Sequence, residues 1–273
     1  MRAGFRNSPL FDFRSPNRYD VATPGKHCMA DAIALQISNL SKSFDKAVLH
    51  DLSLTIPQGQ LYALLGPNGA GKTTTLRIVV GLLKADAGTV HIYGKDITKN
   101  PDATKAITAW LPDDPMLYDK LTPAEYLAFI AGLWSIDAKV AATEAESLLK
   151  WLELWDVRNS RCESFSRGMK QKVALAGALI HKPKLLILDE PLTGLDATMA
   201  RTVKNALRAQ VDAGATVIIT THILEVAERL ADRIGIISDG KLLTQGTLQE
   251  LQAMGGAGDA TLEDMFIRLT KTQ

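Results

Sequence analysis

Leu61-Tyr62-Ala63-Leu64-Leu65-Gly66-Pro67-Asn68-Gly69-Ala70-Gly71-Lys72-Thr73-Thr74 decides the fold of this chain. Its first five residues are an unbroken apolar run, the pattern of a strand buried on both faces. Residues 66–73 then fit G-x-x-x-x-G-K-[ST]. A triphosphate has to be wrapped by backbone N–H groups, so the loop needs residues that tolerate unusual dihedrals and close approach. Gly66, Gly69 and Gly71 meet that need. A helix expected over 72–84 aims its N-terminus at the phosphates, where its dipole favours negative charge. Lys72 adds a mobile ammonium, and the Thr73 hydroxyl is a candidate Mg2+ ligand. The nucleotide-binding set is therefore Gly66, Pro67, Asn68, Gly69, Ala70, Gly71, Lys72, Thr73 and Thr74. Strand, glycine loop and helix in that order predict a P-loop NTPase.

A second apolar strand, Leu185–Leu188, runs into Asp189-Glu190-Pro191. Beside a phosphate loop, a strand-end carboxylate is placed to hold Mg2+ through water, and Asp189 fits that role. Glu190, one residue on, points differently and is the candidate general base for an attacking water. His222 follows the strand-like run 215–221. At a strand end it reads equally as a structural histidine or as a γ-phosphate contact.

The rest of the chain frames these motifs. Residues 34–40 and 48–56 alternate as strands do, and 89–93 reads as another. From about 101 to 181 the pattern is mostly helical. One helix is expected over 123–134, with Thr122 as N-cap and Pro123 at the first position, and another over 141–155. Trp151 and Trp155, four apart, are expected on one face of that second helix, packed in a core. The last third alternates helix 197–211, strand 215–220, helix 223–231 and strand 234–238, with a final helix over 261–271. That βαβ alternation predicts a parallel sheet covered by helices.

Composition bounds the partners. The chain has 273 residues, 46% hydrophobic and 22% charged, with a formal net charge of +1. So small a charge argues against nucleic acid as a partner. Cys28 and Cys162 have no metal-ligand spacing and suit a reducing cytosol. No run approaches the roughly 20 apolar residues of a membrane helix. Residues 1–30, broken by prolines and holding Arg2, Arg6, Arg14 and Arg18, read as a disordered tail, with Met29 a candidate start.

Phe165-Ser166-Arg167-Gly168-Met169-Lys170-Gln171 precedes the acidic strand. With the motifs above, it resembles the nucleotide-binding subunits of ABC transporters, whose signature is usually Leu-Ser-Gly-Gly-Gln. The resemblance covers about residues 37–246. Ser166 and Gly168 match, whereas Arg167 and Met169 depart in a form typical of an exporter-like subgroup with separate permease chains. The resemblance implies an α/β fold: a parallel sheet core, an N-terminal antiparallel β subdomain and an inserted α-helical subdomain at about 101–181. It implies an ATP-binding domain over 31–256 and a C-terminal helical tail over 257–273. It implies that Phe44 stacks on adenine. Ser166 and Gly168 would face the γ-phosphate bound to another copy, and the segment 193–196, with Asp196, would cross the dimer interface. His222 would act as a switch beside the catalytic Lys72 and Glu190. Where the family usually has glutamine after a proline, Leu111-Pro112-Asp113-Asp114-Pro115 offers Asp113. That carboxylate is a catalytic and metal candidate, shorter and more negative than glutamine.

The function implied is an ATPase, splitting ATP to ADP and phosphate with Mg2+, that powers export through an integral-membrane permease. A dimer of ATPase subunits is expected, a homodimer ahead of a heterodimer of two ATPases, peripheral on the cytoplasmic face of the membrane. The permease is expected near Met116, Leu117 and Tyr118, three residues that read equally well as core packing. A soluble ATPase of the same type acting on ribosomes or DNA is the rival, disfavoured by a single ATPase unit and the lack of a long coiled-coil insertion. A small-molecule kinase would lack the Ser-Arg-Gly-Met segment.

Overall fold

The computed structural model describes residues 32–254 and 261–271. The expected N-terminal tail, with Cys28 and Met29, lies outside them. Strands β1 (Ile33–Ser43), β2 (Ala47–Pro57), β3 (Leu61–Leu65), β4 (Ala87–Ile92) and β5 (Lys95–Asp96) come first, with helix α1 (Lys72–Val79) after β3. Helix α2 (Pro101–Lys105), strand β6 (Thr108–Leu111) and helices α3 (Pro123–Leu133), α4 (Ala138–Trp151) and α5 (Arg167–Leu179) follow. The chain then alternates β7 (Leu185–Leu188), α6 (Ala197–Asp212), β8 (Thr216–Thr221), α7 (Leu224–Leu230) and β9 (Arg233–Ser238). It closes with β10 (Lys241–Gly246), α8 (Leu248–Met254) and α9 (Leu262–Lys271).

Two sheets result. One is antiparallel, in the order β2-β1-β4-β5. The other is β10-β9-β3-β8-β7-β6, parallel from β9 to β6 with β10 antiparallel at its edge. This is an α/β P-loop NTPase fold with an antiparallel β layer and packed helices.

The pleat explains the unbroken apolar runs. Successive side chains of a strand leave on opposite faces. Leu61, Ala63, Leu65, Leu186 and Leu188 enter a core shared with α3, α4, α5 and α6. Tyr62, Leu64, Leu185 and Ile187 enter a second core, shared with β1, β2 and α1. One buried strand thus feeds two cores. Each Leu or Ile so buried contributes about 1.5–3 kcal/mol.

Register positions the site. Leu65 pairs with Thr221, Leu188 with Ile219 and Leu111 with Leu188. The chain therefore leaves β3, β8, β7 and β6 along one edge of the sheet, where α/β folds place their ligands.

The structure corrects several boundaries. Thr108–Leu111, inside the stretch read as helical, is an outer strand of the main sheet, paired to β7. Four residues are too few for periodicity to separate strand from helix. Helix α1 ends at Val79 rather than residue 84, because Gly81 turns the chain into the left-handed region at φ 75. Helix α4 starts at Ala138, capped by the Asp137 side chain, and is over by Glu153, which has φ 58. Trp155 therefore lies in a following short turn and not on the α4 face with Trp151. Both rings still pack against the core, and Arg158 covers Trp155 at 4.1 Å. Helix α3 starts as expected: Thr122 accepts from the Glu125 amide at 3.2 Å and Glu125 accepts from the Thr122 amide at 2.9 Å.

The turn between β9 and β10, held against β2, braces the phosphate loop from behind. The Gly240 amide donates to the Ala70 carbonyl at 3.1 Å, and the Gly240 carbonyl accepts from the His50 amide at 3.0 Å. Gly240 has φ 70, and a Cβ there would overlap the Val48 carbonyl of β2. Gly59 also has positive φ, 67, but open space around it. Gly59→Ala should cost about 1–2 kcal/mol in urea unfolding, from dihedral strain alone. Gly240→Ala should cost about 2–5 kcal/mol, because overpacking is added. Equal losses would show that the loop is not braced through Gly240.

Candidate active site

The loop after β3 and the acidic end of β7 meet although β8 lies between their strands. Thr73 Oγ1 donates to Asp189 Oδ2 at 2.7 Å. Thr220 of β8 fills the gap. Its hydroxyl donates a short hydrogen bond to Asp189 Oδ1 and accepts from the Glu190 amide at 2.9 Å. Asp189 is buried, and both carboxylate oxygens have partners. Thr220 was not singled out from sequence. Its signal is a hydroxyl, one of three in β8, inside a strand buried along its length.

Glu190 points the other way. Its backbone has φ 47, a left-handed conformation that costs a non-glycine residue about 1–3 kcal/mol. That twist, with the ordinary alternation of a strand, separates the two neighbouring acids. Glu190 Oε1 accepts from His222 Nδ1 at 3.0 Å and lies 3.7 Å from Lys72 Nζ. Glu190 Oε2 accepts from Thr193 Oγ1 at 3.2 Å. His222 is brought here because β8 adjoins β7.

Lys72 is buried, and its ammonium donates to the Gly66 and Pro67 carbonyls at 2.7 and 3.1 Å. Burial pushes it below the ordinary lysine value, against the pull of Glu190 and Asp189. Pro67, Asn68 and Gly69 form the exposed crest of the loop, while Ala70 and Gly71 are buried and Thr74 is half-buried on α1. Gly71 has φ 101, and a Cβ there would come within 2.6 Å of Leu49. Only glycine suits it on both counts.

A second group gathers at the start of α5. Ser166 caps the helix, its hydroxyl accepting from the Met169 amide at 3.3 Å, and it is exposed. Gly168 is buried, because Met199 of α6 and Leu195 pack where a Cβ would lie. Asp196 caps α6, accepting from the Met199 amide at 2.9 Å. Arg167 reaches Asp113 at 3.4 Å. Burial pushes the Asp113 carboxyl above the usual carboxylate range, opposed by Arg167 and reinforced by Asp189, Glu190 and Asp114. Phe44 follows β1 with its ring 58% exposed and the Lys42 ammonium 5.4 Å from its centroid. Lys72, Thr73, Asp189, Glu190 and His222 are thus joined by direct contacts, and Asp113 stands within their field.

A glycine loop between a buried strand and a helix, facing two divergent carboxylates, defines a nucleoside-triphosphatase site. The comparisons narrow that class. The family model described as ABC transporter matches residues 49–193. The daunorubicin/doxorubicin resistance ATP-binding protein DrrA of Streptomyces peucetius is 36% identical over 225 residues, 82% of this chain and 68% of that protein. The ABC-type transporter ATP-binding protein EcsA of Bacillus subtilis (strain 168) is 33% identical over 238 residues, 87% of this chain and 96% of that protein. A solved structure titled as the ATP binding subunit of an ABC transporter superposes with a TM-score of 0.80 at 32% identity, covering 86% of this chain and 99% of its own. The chain belongs to the ABC transporter family and is an ATP-binding subunit of that family's ATPases.

Thr220→Val removes one hydroxyl from two partners. Leaving a buried Asp189 oxygen and the Glu190 amide unpaired should cost about 1–3 kcal/mol in urea unfolding, and Thr220→Ser should restore most of it. An unchanged midpoint for Thr220→Val would remove Thr220 from the site's framework.

Proposed function

We propose that this chain hydrolyses ATP to drive transport, in the outward direction, through a separate integral-membrane permease. The observation that carries this is Glu190, held by His222 and Thr193 within 3.7 Å of Lys72 and next to the Thr73–Asp189 pair. Backbone N–H groups of residues 66–73 and the α1 N-terminus cradle the phosphates. Lys72 turns from the Gly66 and Pro67 carbonyls to phosphate oxygens. Glu190 accepts a proton from water as the water oxygen bonds to the γ-phosphorus. The bond from that phosphorus to the bridging oxygen breaks, and ADP leaves with its electron pair. His222 fixes the Glu190 carboxylate and contacts the γ-phosphate, and Phe44 stacks on adenine.

Thr73 Oγ1 and Asp189 Oδ2, hard oxygens 2.7 Å apart, suit Mg2+ shared with phosphate oxygens. Among the described residues no three or more His, Cys, Asp or Glu gather as a metal cage. When bound, Mg2+ neutralises charge on the phosphates. Asp113 adds a carboxylate near that position.

Two copies close head to tail around two ATP molecules, each presenting Ser166 and the α5 N-terminus to the other's γ-phosphate. Asp196 lies in the loop that crosses between them. The exposure of Ser166 favours this arrangement. On this reading the permease holds the membrane path; no helix among the described residues of this chain is long and apolar enough to cross a membrane. Met116, 94% exposed, and Tyr118, 59% exposed, offer it an apolar foothold, with Phe129 edge-on to Tyr118 at 5.3 Å. Leu117 packs against the core instead. On this reading the chain sits on the cytoplasmic face of the membrane. The net charge of +1 lacks the strong basic excess usual for a nucleic-acid partner. The drug-resistance role for which the Streptomyces relative is named supports the outward direction.

Glu190→Gln should bind ATP normally and turn it over at least about 100-fold more slowly. Wild-type turnover would remove Glu190 as the base. Lys72→Ala should weaken ATP binding about 10–100-fold by calorimetry, and unchanged affinity would contradict the cradle. Gentle extraction of the tagged chain from its own membranes should bring down a polytopic protein in stoichiometric amount. Ribosomes or DNA in its place would refute the transport role.

A further inference from the structure

Arg167 and Asp113 are 54 residues apart, yet each departs from the common family form and the two touch at 3.4 Å. Arg167 is the first residue of α5, where the helix dipole disfavours a cation. The first turn of α5 holds no acid. Lys170, one turn on, is a second cation there, and it pairs with Asp119 at 2.9 Å. Both acids come from one stretch, the connection between β6 and α3. A third pair, Lys120 to Glu163 at 2.7 Å, joins the same stretch to the turn before α5. Backbone bonds run alongside: the Cys162 amide to the Leu121 carbonyl at 3.0 Å, and the Glu163 amide to the Asp119 carbonyl at 2.9 Å. Met116 and Tyr118, the exposed apolar side chains, lie between the two acids that pair with α5. Arg167 also lies over Gly194, in the loop that follows Glu190.

We propose that these three ion pairs are a charge clamp. They make residues 113–121 and residues 162–170 move as one body, so that ATP engagement at the start of α5 displaces the apolar foothold at Met116 and Tyr118. This rests on the proposed ATP site and docking face. Each exposed pair alone is a weak tie. Three pairs in register with two backbone bonds share the ordering cost, and they couple the β6–α3 connection to the start of α5. Arg167, Lys170 and Lys120 are positioning residues here: they act through the segment they hold.

The experiment is hydrogen–deuterium exchange on the full chain, with and without excess Mg-ATP. The native chain should show ATP-dependent exchange changes at residues 66–75, 116–121 and 162–170. Lys120→Glu with Lys170→Asp breaks two pairs outside the catalytic set. In that variant the responses at 66–75 and 162–170 should persist, while the response at 116–121 falls at least threefold. Adding Asp119→Lys and Glu163→Lys rebuilds both pairs with reversed charge and should restore it. Exchange in β3, β7 and β8 without nucleotide should match the native chain throughout, separating a lost clamp from general loosening. A full response at 116–121 in the broken variant, no rescue on rebuilding, or a native chain that responds at 66–75 but not at 116–121 would each overturn the clamp and leave the ATP site standing. No response at 66–75 in the native chain would instead refute the ATP site, and the clamp's role with it.

Discussion

Thr73, Asp189 and Thr220 are linked through one buried carboxylate, and the Glu190 amide completes the chain of hydrogen bonds. These residues belong to the start of α1, the end of β7 and the body of β8. A buried carboxylate is tolerable only when its oxygens have donors, and here the donors are two threonine hydroxyls from different elements. The same contacts that make Asp189 tolerable hold the phosphate loop against the sheet edge. Remove them and the loop loses its direct tie to Asp189. The two cores beneath serve this geometry: they fix the strand register that brings Leu65, Leu188 and Thr221 to one edge.

Much of this was legible in the sequence because the chemistry needs contiguous residues. A phosphate cradle is a loop, so its glycines, lysine and threonine must be neighbours in the chain. Two acids at a strand end are likewise local. The βαβ alternation announced a parallel sheet, and the unbroken runs at 61–65 and 185–188 announced strands with two covered faces. What stayed hidden is what depends on strand order. Nothing local says that β8 lies between β3 and β7, so nothing local says that the Thr220 hydroxyl serves Asp189. Strand β6 is too short to show a period, and β10 with α8 follows a hairpin whose half-buried residues alternate weakly. The sequence pattern carries Trp155 on a helix that stops at a left-handed Glu153. The contact between Arg167 and Asp113 is of the same kind: two departures, separate in sequence, that only the fold brings together.

Strain and charge are concentrated at the same place. Glu190 is held left-handed by its amide bond to Thr220 and by three side chains around its carboxylate. A residue in that conformation is over-determined by its surroundings, a usual feature of side chains that must be aimed. Asp189 beside it is aimed oppositely with no left-handed dihedral of its own. Two adjacent carboxylates thereby take different neighbours, one among hydroxyls and one between a lysine and a histidine.

The charges around the loop are uneven. Asp189, Glu190 and Asp114 act on Asp113 against Arg167, and Glu190 and Asp189 draw on Lys72. On the proposed function a triphosphate adds several more negative charges to this surface. Two side-chain cations do not offset that sum. The balance has to come from sources that carry no side-chain charge: the backbone N–H groups of the loop, the α1 dipole and a divalent ion. An acid at position 113 makes this requirement harder, and Arg167, held 3.4 Å away, is the group that relieves it. The pairing therefore offsets part of the repulsion that an acid in the loop between β6 and α3 would exert on a nucleotide. It also explains why a cation at the unfavourable end of α5 is not a defect of that helix.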